Sequence, residues 1–198
     1  MMHPHTTQGW VGNGRGSGVI ATHAIPKGTI VYVRDALDII VPEGHPMLAD
    51  PLYADTFTVH AYIEPDGSRV MCWDHGRYMN HCCRPNTLST GYGFEIAIDD
   101  IAKGEEVTDH YAVLNLEFEM DLHCDKPECL RKLGPGMLPL VGDWIDTRIR
   151  EVLTLIPTVP QPLFTLLDPA TRDALELYLT TGEGYRSVLS LQHLRRTA

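Results

Sequence analysis

Two short stretches concentrate the side chains that can do chemistry. One reads Arg77-Tyr78-Met79-Asn80-His81-Cys82-Cys83-Arg84-Pro85-Asn86, the other Gly104-Glu105-Glu106-Val107-Thr108-Asp109-His110-Tyr111. An amide beside an imidazole, as at Asn80 and His81, can hydrogen-bond a polar ligand, although an isolated pair of this kind more often marks a turn. Upstream, Gly14, Gly16 and Gly18 alternate with Arg15 and Ser17. Glycines there leave backbone groups open to a ligand's close approach. The pattern is not a dinucleotide-binding fingerprint, because no strand rich in Val and Ile precedes it and no helical periodicity follows. The five cysteines are odd in number, and the chain start, Met1 to Gln8, lacks the apolar run of a secretory signal. Metal binding or free thiols are therefore expected rather than a disulfide framework.

These residues must be positioned mostly by strands. Runs of Val, Ile and Tyr between Val19 and Val33 flank a turn at Ile25-Pro26-Lys27-Gly28, which predicts a hairpin. The proline-rich stretch 42–51 reads as loop with a helical turn near Leu48. Strands are expected over Thr56–Ile63 and Val70–Trp73, joined at Pro65-Asp66-Gly67-Ser68. Phe94–Ile98 alternates as a half-buried strand does, and 99–104 turns the chain into Val107. Beyond Gly134-Pro135-Gly136 the periodicity becomes helical. One helix is expected behind Asp143 as N-cap and ends at Pro157, a second runs from Asp168-Pro169 to Gly182, and a third spans about 183–196. These helices offer extra core, a substrate lid or a dimer face.

The chain has 198 residues and a formal charge of −10, from 26 acidic against 16 basic residues. Nucleic acid would be repelled over most of such a surface, whereas a basic polypeptide would be attracted; an ordinary acidic surface kept for solubility gives the same balance. No stretch approaches a membrane span, so a soluble intracellular protein is expected, cytoplasmic or, if it acts on chromatin, nuclear.

The Asn-His pair followed by Cys83-Arg84-Pro85-Asn86, the Gly-Glu-Glu-Val-Thr run ending in Tyr111, and Gly14-Arg15-Gly16-Ser17-Gly18-Val19-Ile20-Ala21-Thr22 with its Ile25-Pro26-Lys27-Gly28 turn occur in an order that resembles the SET domain of protein-lysine methyltransferases. The resemblance covers roughly residues 9–131. It implies a mainly β, α+β overall, fold of small curled sheets with a threaded C-terminal segment. By the resemblance, residues 9–117 would be the SET domain, 118–133 a cysteine segment, and 134–198 a helical extension outside the match. It implies S-adenosylmethionine as methyl donor and lysines of a basic protein, such as a histone or ribosomal protein, as acceptors. Tyr111 would be catalytic and would also touch the cofactor. Arg15, Gly16, Ser17, Asn80 and His81 would hold the cofactor, while Tyr62 and Asp109 would face the substrate channel. Arg77 offers a cofactor contact or an ion pair, for instance with Glu106.

The chain departs from the family pattern twice. A cysteine cluster of Cys83, Cys124 and Cys129 resembles three of the four ligands of a structural zinc, but Leu122 stands where the family has another cysteine. His123 or Cys82 would have to complete a tetrahedral site. Asp109 takes a position usually aromatic, where a carboxylate would raise the substrate lysine's pKa. A catalytically inactive module that binds a peptide or partner is the competing expectation.

Overall fold

The computed structural model describes residues 1–12 and 14–194. Among the described residues the strands form four small sheets and no closed barrel, in an α+β chain. The first sheet is ordered β1 (Thr6–Trp10), β2 (Ser17–Ala21), β10 (Glu106–Asp109) and β7 (Asn80–His81). Its pairings are antiparallel except the last, which runs parallel and sets Thr108 opposite Asn80 and Asp109 opposite His81. Parallel neighbours need a long crossover. Here it carries β8 (Thr87–Ser89) and β9 (Phe94–Ala97), which join β3 (Ile30–Val33) in a sheet ordered β3-β9-β8. A third sheet is ordered β4 (Ile39–Val41), β6 (Arg69–Met71) and β5 (Ala61–Ile63), and β11 (Met120–Asp121) pairs with β12 (Lys132–Leu133).

The turn at 25–28 forms, with Gly28 at φ +88°, but the flanking strands make no hairpin. β2 pairs with β1 and β10, and β3 with β9. All four residues of β3 are buried, Ile30 and Val33 in one core and Val31 and Tyr32 in another. A strand apolar on both faces belongs between two layers rather than in a two-stranded ribbon. The expected hairpin at 65–68 is present, with Tyr62 opposite Val70 and Gly67 at φ +85°.

Of the strand expected over Thr56–Ile63 only Ala61–Ile63 forms; residues 56–60 belong to α1 (Ala54–His60) instead. The Asp50 side chain accepts from the Leu52 N–H at 2.9 Å and its carbonyl from the Ala54 N–H, which starts the helical turn. Phe57 alone is buried, against Val41 and Met71, while Val59 is 71% exposed. A single anchor thus decides over the β-branched composition of Thr56, Thr58 and Val59.

α2 (Leu138–Leu153) begins ahead of Asp143, which sits inside the helix and not at its cap; Pro139 occupies the first turn. Its buried Ile145, Ile149, Val152 and Leu153 share one core with Ile30, Leu88, Phe94 and Ile96 of the β3-β9-β8 sheet. α3 (Pro169–Thr181) matches its sequence signals: Asp168 Oδ1 accepts from Thr171 N–H at 3.0 Å, and Gly182 closes the helix at φ +76°. The third helix does not form over 183–194. Gly184 at φ +73° follows Gly182, and only a 3₁₀ turn at Val188–Leu191 remains; residues 195–196 lie outside the described residues. No helix of the described residues is long and apolar enough to cross a membrane.

Candidate active site

β2, β7 and the end of β10 deliver their polar groups to one cleft of about 390 Å³. Arg15, Ser17, Asn80, His81 and Tyr111 line it, along with Gly14, Tyr78 and, from β11 and its continuation, Leu122 and His123. Gly16 holds the bend, its carbonyl accepting from Val11 N–H at 2.9 Å, and does not line the cleft.

Asn80 stitches the floor. Its Nδ2 donates to Ser17 O and to Glu106 Oε1, both at 2.9 Å, so only Oδ1 is left to meet a ligand. Glu106 in turn pairs with Arg15 Nη1 at 2.8 Å, while Arg15 Nε is buried with no hydrogen-bond partner among the described residues. Arg77, for which a cofactor contact or an ion pair with Glu106 is expected, lines the cleft and donates to the carbonyls of Asp74 and Trp73, not to Glu106. Gly18 makes this crossing close enough. A Cβ there would lie 2.7 Å from Val11 Cγ1 and 2.8 Å from Glu106 Oε1.

His81 is neutral. Burial, with His110 beside it, lowers its pKa to about 3. Nδ1 accepts from the Tyr111 N–H at 3.2 Å, which puts the proton on Nε2, 3.2 Å from Cys83 Sγ. Tyr111 opens a 3₁₀ turn (Tyr111–Leu114), and its hydroxyl donates to Met79 O at 2.5 Å. Burial, then the nearby carboxylates Asp109, Glu106 and Glu95, push its pKa up, so the hydroxyl keeps its proton.

Asp109 and Tyr111 do not share a face. β10 ends at Asp109 and the chain enters the 3₁₀ turn, so strand alternation stops between them. The Asp109 side chain, 2% exposed, accepts from Ser89 Oγ at 2.9 Å. Tyr62 likewise lies off the cleft: it packs on the core around Val19, Val31 and Tyr32 and lines a second cavity.

The protein-family model for the SET domain matches residues 16–112. Those residues, just under half of the chain, are a SET domain. Over 95 residues it is 30% identical to the histone-lysine N-methyltransferase ASHH3 of Arabidopsis thaliana, a match covering 43% of this chain and 26% of that protein. The chain therefore matches about a quarter of the length of that relative. Among solved structures, the methyltransferase domain of human SETMAR is similar at a TM-score of 0.49 and 19% identity, covering 68% of this chain and 59% of that one. KRYPTONITE, solved with mCHG DNA and SAH, is similar at a TM-score of 0.42 and 18% identity, covering 60% and 27%.

Beyond the matched SET residues, β11 and β12 frame the cysteine segment. The ligating atoms of Cys83, Cys124 and Cys129 lie within 4.8 Å of one another. Burial pushes the Cys83 thiol up to about 12, with neighbouring Cys124 and Cys129 adding to it. At Cys124 burial also opposes the thiolate, but hydrogen bonds from backbone groups and the adjacent thiols outweigh it and lower the pKa. Three sulfurs suit zinc's thiolate preference and fill three of four tetrahedral positions. His123 does not supply the fourth: its ring faces Gly14 across the cleft, where a Cβ on Gly14 would meet it at 3.5 Å. Cys82 lies beside Cys124, outside the three-sulfur group, and donates to Arg84 O at 3.1 Å. Leu122 packs on Cys82, Cys124 and Leu133, so apolar burial also holds the segment down. Leu130, by contrast, is exposed.

Sequence reasoning did not place Val59 and His60 of α1 or Met120 and Asp121 of β11 in the cleft. The first pair was hidden by the strand reading of 56–63. The second carries no motif, although its neighbours Cys124 and Cys83 tie that segment to the Asn-His stretch.

Proposed function

We propose that this chain is a protein-lysine N-methyltransferase that uses S-adenosylmethionine and acts on a basic protein such as a histone. The observation that supports it most is the convergence of Arg15, Ser17, Asn80, His81 and Tyr111 on one cleft in a SET domain. Its volume lies within the usual range of small-molecule sites. The donor fits the groups present. Asn80 Oδ1 is an acceptor for the ammonium of its amino-acid end, and Arg15 Nε is a donor for its carboxylate. The relative's name, histone-lysine N-methyltransferase, supports a histone as acceptor, as does the net charge of −10.

When bound, S-adenosylmethionine supplies a sulfonium methyl group for transfer to a neutral amine. Deprotonating a lysine of pKa ~10.4 at pH 7 costs about 4.6 kcal/mol, which an apolar channel and an adjacent positive charge reduce. The rest is alignment. The Tyr111 hydroxyl donates a hydrogen bond to Met79 O, so its lone pairs are free to accept an N–H from the incoming amine and aim the nitrogen. His81, held neutral, fixes the Tyr111 backbone. In this reading residues 9–117 form the catalytic domain, 118–133 close it, and 134–198 complete its core.

Calorimetry with S-adenosylmethionine tests the reading. The parent should bind, and Asn80→Ala should bind roughly 10- to 100-fold more weakly, through loss of a buried hydrogen-bonded group. A parent that does not bind the donor overturns it. One observation favours a second reading, a binding module without catalysis: a carboxylate, Asp109, stands two residues before Tyr111. Donor binding without methyl transfer would select that reading.

A further inference from the structure

α2 lies wholly beyond the SET match, yet it meets the stretch that carries Tyr111 at two points. Val113 of the 3₁₀ turn is buried in one core with Leu138, Ile145 and Ile149 of the helix. Beside that core the Trp144 indole packs on the His110 ring, with centroids 5.8 Å apart and planes tilted by 60°. His110 caps the turn, its Nδ1 accepting from the Ala112 N–H at 3.3 Å. It also meets His81 edge to face, with centroids 4.9 Å apart. A row of three rings, Trp144, His110 and His81, thus runs from the helix to the cleft at the spacing aromatic pairs favour.

Of the three rings only His81 lines the cleft. Its work there depends on orientation. Nδ1 takes the Tyr111 N–H at 3.2 Å and the opposite nitrogen meets Cys83 Sγ at 3.2 Å, so a swing of the ring would break both contacts. A buried ring keeps its rotamer because its neighbours fill the space around it. For His81 those neighbours are Tyr111 on one side and His110 on another. Exposure falls from 41% at Trp144 to 2% at His110, so the indole is the outer member that covers the imidazole behind it. Without the indole, His110 gains room to turn and water to bond, and His81 loses its brace.

We infer that Trp144 is a positioning residue for the donor cleft: by packing on His110 it braces the His81 ring, and through that ring the backbone of Tyr111. A helix outside the SET match therefore helps to set the geometry of the site. Trp144 does not line the cleft and acts through the two imidazoles. The inference rests on the reading of that cleft as the donor site.

The experiment compares the full chain with its Trp144→Ala and Trp144→Phe variants, all at the same zinc content. Hydrogen exchange is followed at two amides: Tyr111, whose N–H is held by His81, and Thr108 of β10, whose N–H donates to Asn86 Oδ1 at 2.9 Å. S-adenosylhomocysteine affinity is measured by calorimetry. Trp144→Ala should speed exchange at Tyr111 by roughly 10-fold or more with Thr108 unchanged, and should weaken S-adenosylhomocysteine by about 10-fold. Trp144→Phe returns a ring to His110 and should stay within about 3-fold of the parent in both. Faster exchange at both amides together would mean general loosening and overturns the inference. So does parental exchange or parental affinity in Trp144→Ala, or a Trp144→Phe variant no better than Trp144→Ala. Should Trp144→Ala fail to fold by circular dichroism, the parent decides. Its Trp144 indole N–H signal, assigned by its absence from Trp144→Phe, should shift as S-adenosylhomocysteine binds, and a signal that does not move overturns the inference. A parent that does not bind S-adenosylhomocysteine loses the methyltransferase reading, and exchange at Tyr111 then still decides whether Trp144 braces His81.

Discussion

The backbone N–H of Tyr111 donates to Nδ1 of His81 at 3.2 Å, and the opposite ring nitrogen of His81 meets Cys83 Sγ at 3.2 Å. One neutral imidazole thereby ties the tyrosine-bearing stretch, the Asn-His stretch and the cysteine cluster together. Protonating that ring removes the acceptor on which the tie depends.

Acid should therefore loosen the protein. Burial lowers the pKa of His81 to about 3 and those of His3 and His110 to about 4, against 6.5 in the unfolded chain. Between about 6.5 and those values the unfolded state binds more protons, so stability present above pH 6.5 is lost as pH falls, by up to ~1.4 kcal/mol per unit per histidine. Asp109 opposes this trend. Its pKa, raised to about 7, means the folded state holds a proton first, so its contribution diminishes as pH rises from about 4 to 7. Urea midpoints measured from pH 5 to 8 should thus fall more steeply toward acid in Asp109→Asn than in the parent. A shallower fall in the variant would contradict these assignments.

Gly18→Ala should damage the site through packing alone. Its Cβ would meet Glu106 Oε1 at 2.8 Å and Val11 Cγ1 at 2.7 Å, pushing apart the Arg15–Glu106–Asn80 chain. Overpacking of this kind destabilises by roughly 1–3 kcal/mol. S-adenosylmethionine affinity should fall at least 10-fold, as read by calorimetry on a variant shown to be folded. A variant with parental affinity and midpoint would show that the crossing yields freely.

Much of this geometry was legible because the motifs are local and the turns carry glycine or proline. Arg15, Ser17, Asn80, His81 and Tyr111, which lie in separate motifs, line one cleft, the proposed donor site, whereas Gly16 does not. What the sequence concealed is long-range. β3 reads like half of a hairpin, yet its burial on both faces sends it to β9. Thr56–His60 has the composition of a strand but becomes helical around the single buried Phe57. Asp109 and Tyr111 share a face only if the strand continues, and it stops between them. The pairing of Glu95 with Ser89 is a register fact, invisible without the partner strand.

The cysteine segment gives a test by gain as well as by loss. By the family resemblance Leu122 stands where a fourth cysteine would, and it is buried in an apolar cluster with Cys82 and Cys124. Leu122→Cys should raise zinc affinity by about 10²-fold or more in chelator competition, as a three-sulfur group becomes a closed site. Cys124→Ser should lower it and weaken donor binding, because Leu122 and His123 line the cleft. Unaltered zinc affinity in both variants would remove the metal from this segment.

Methyl transfer itself is the most direct measurement: the parent and Tyr111→Phe, each incubated with S-adenosylmethionine and a panel of histones, and modified residues located by mass spectrometry. The parent should place methyl groups on lysine side chains. Tyr111→Phe should lower turnover by on the order of 10²-fold while leaving donor affinity nearly unchanged, since the hydroxyl acts on the aligned amine. Methyl-lysine formed equally well by the variant would take Tyr111 out of catalysis. A parent that binds the donor yet modifies no lysine in the panel or in a cell lysate would contradict the assignment of this chain as a lysine methyltransferase.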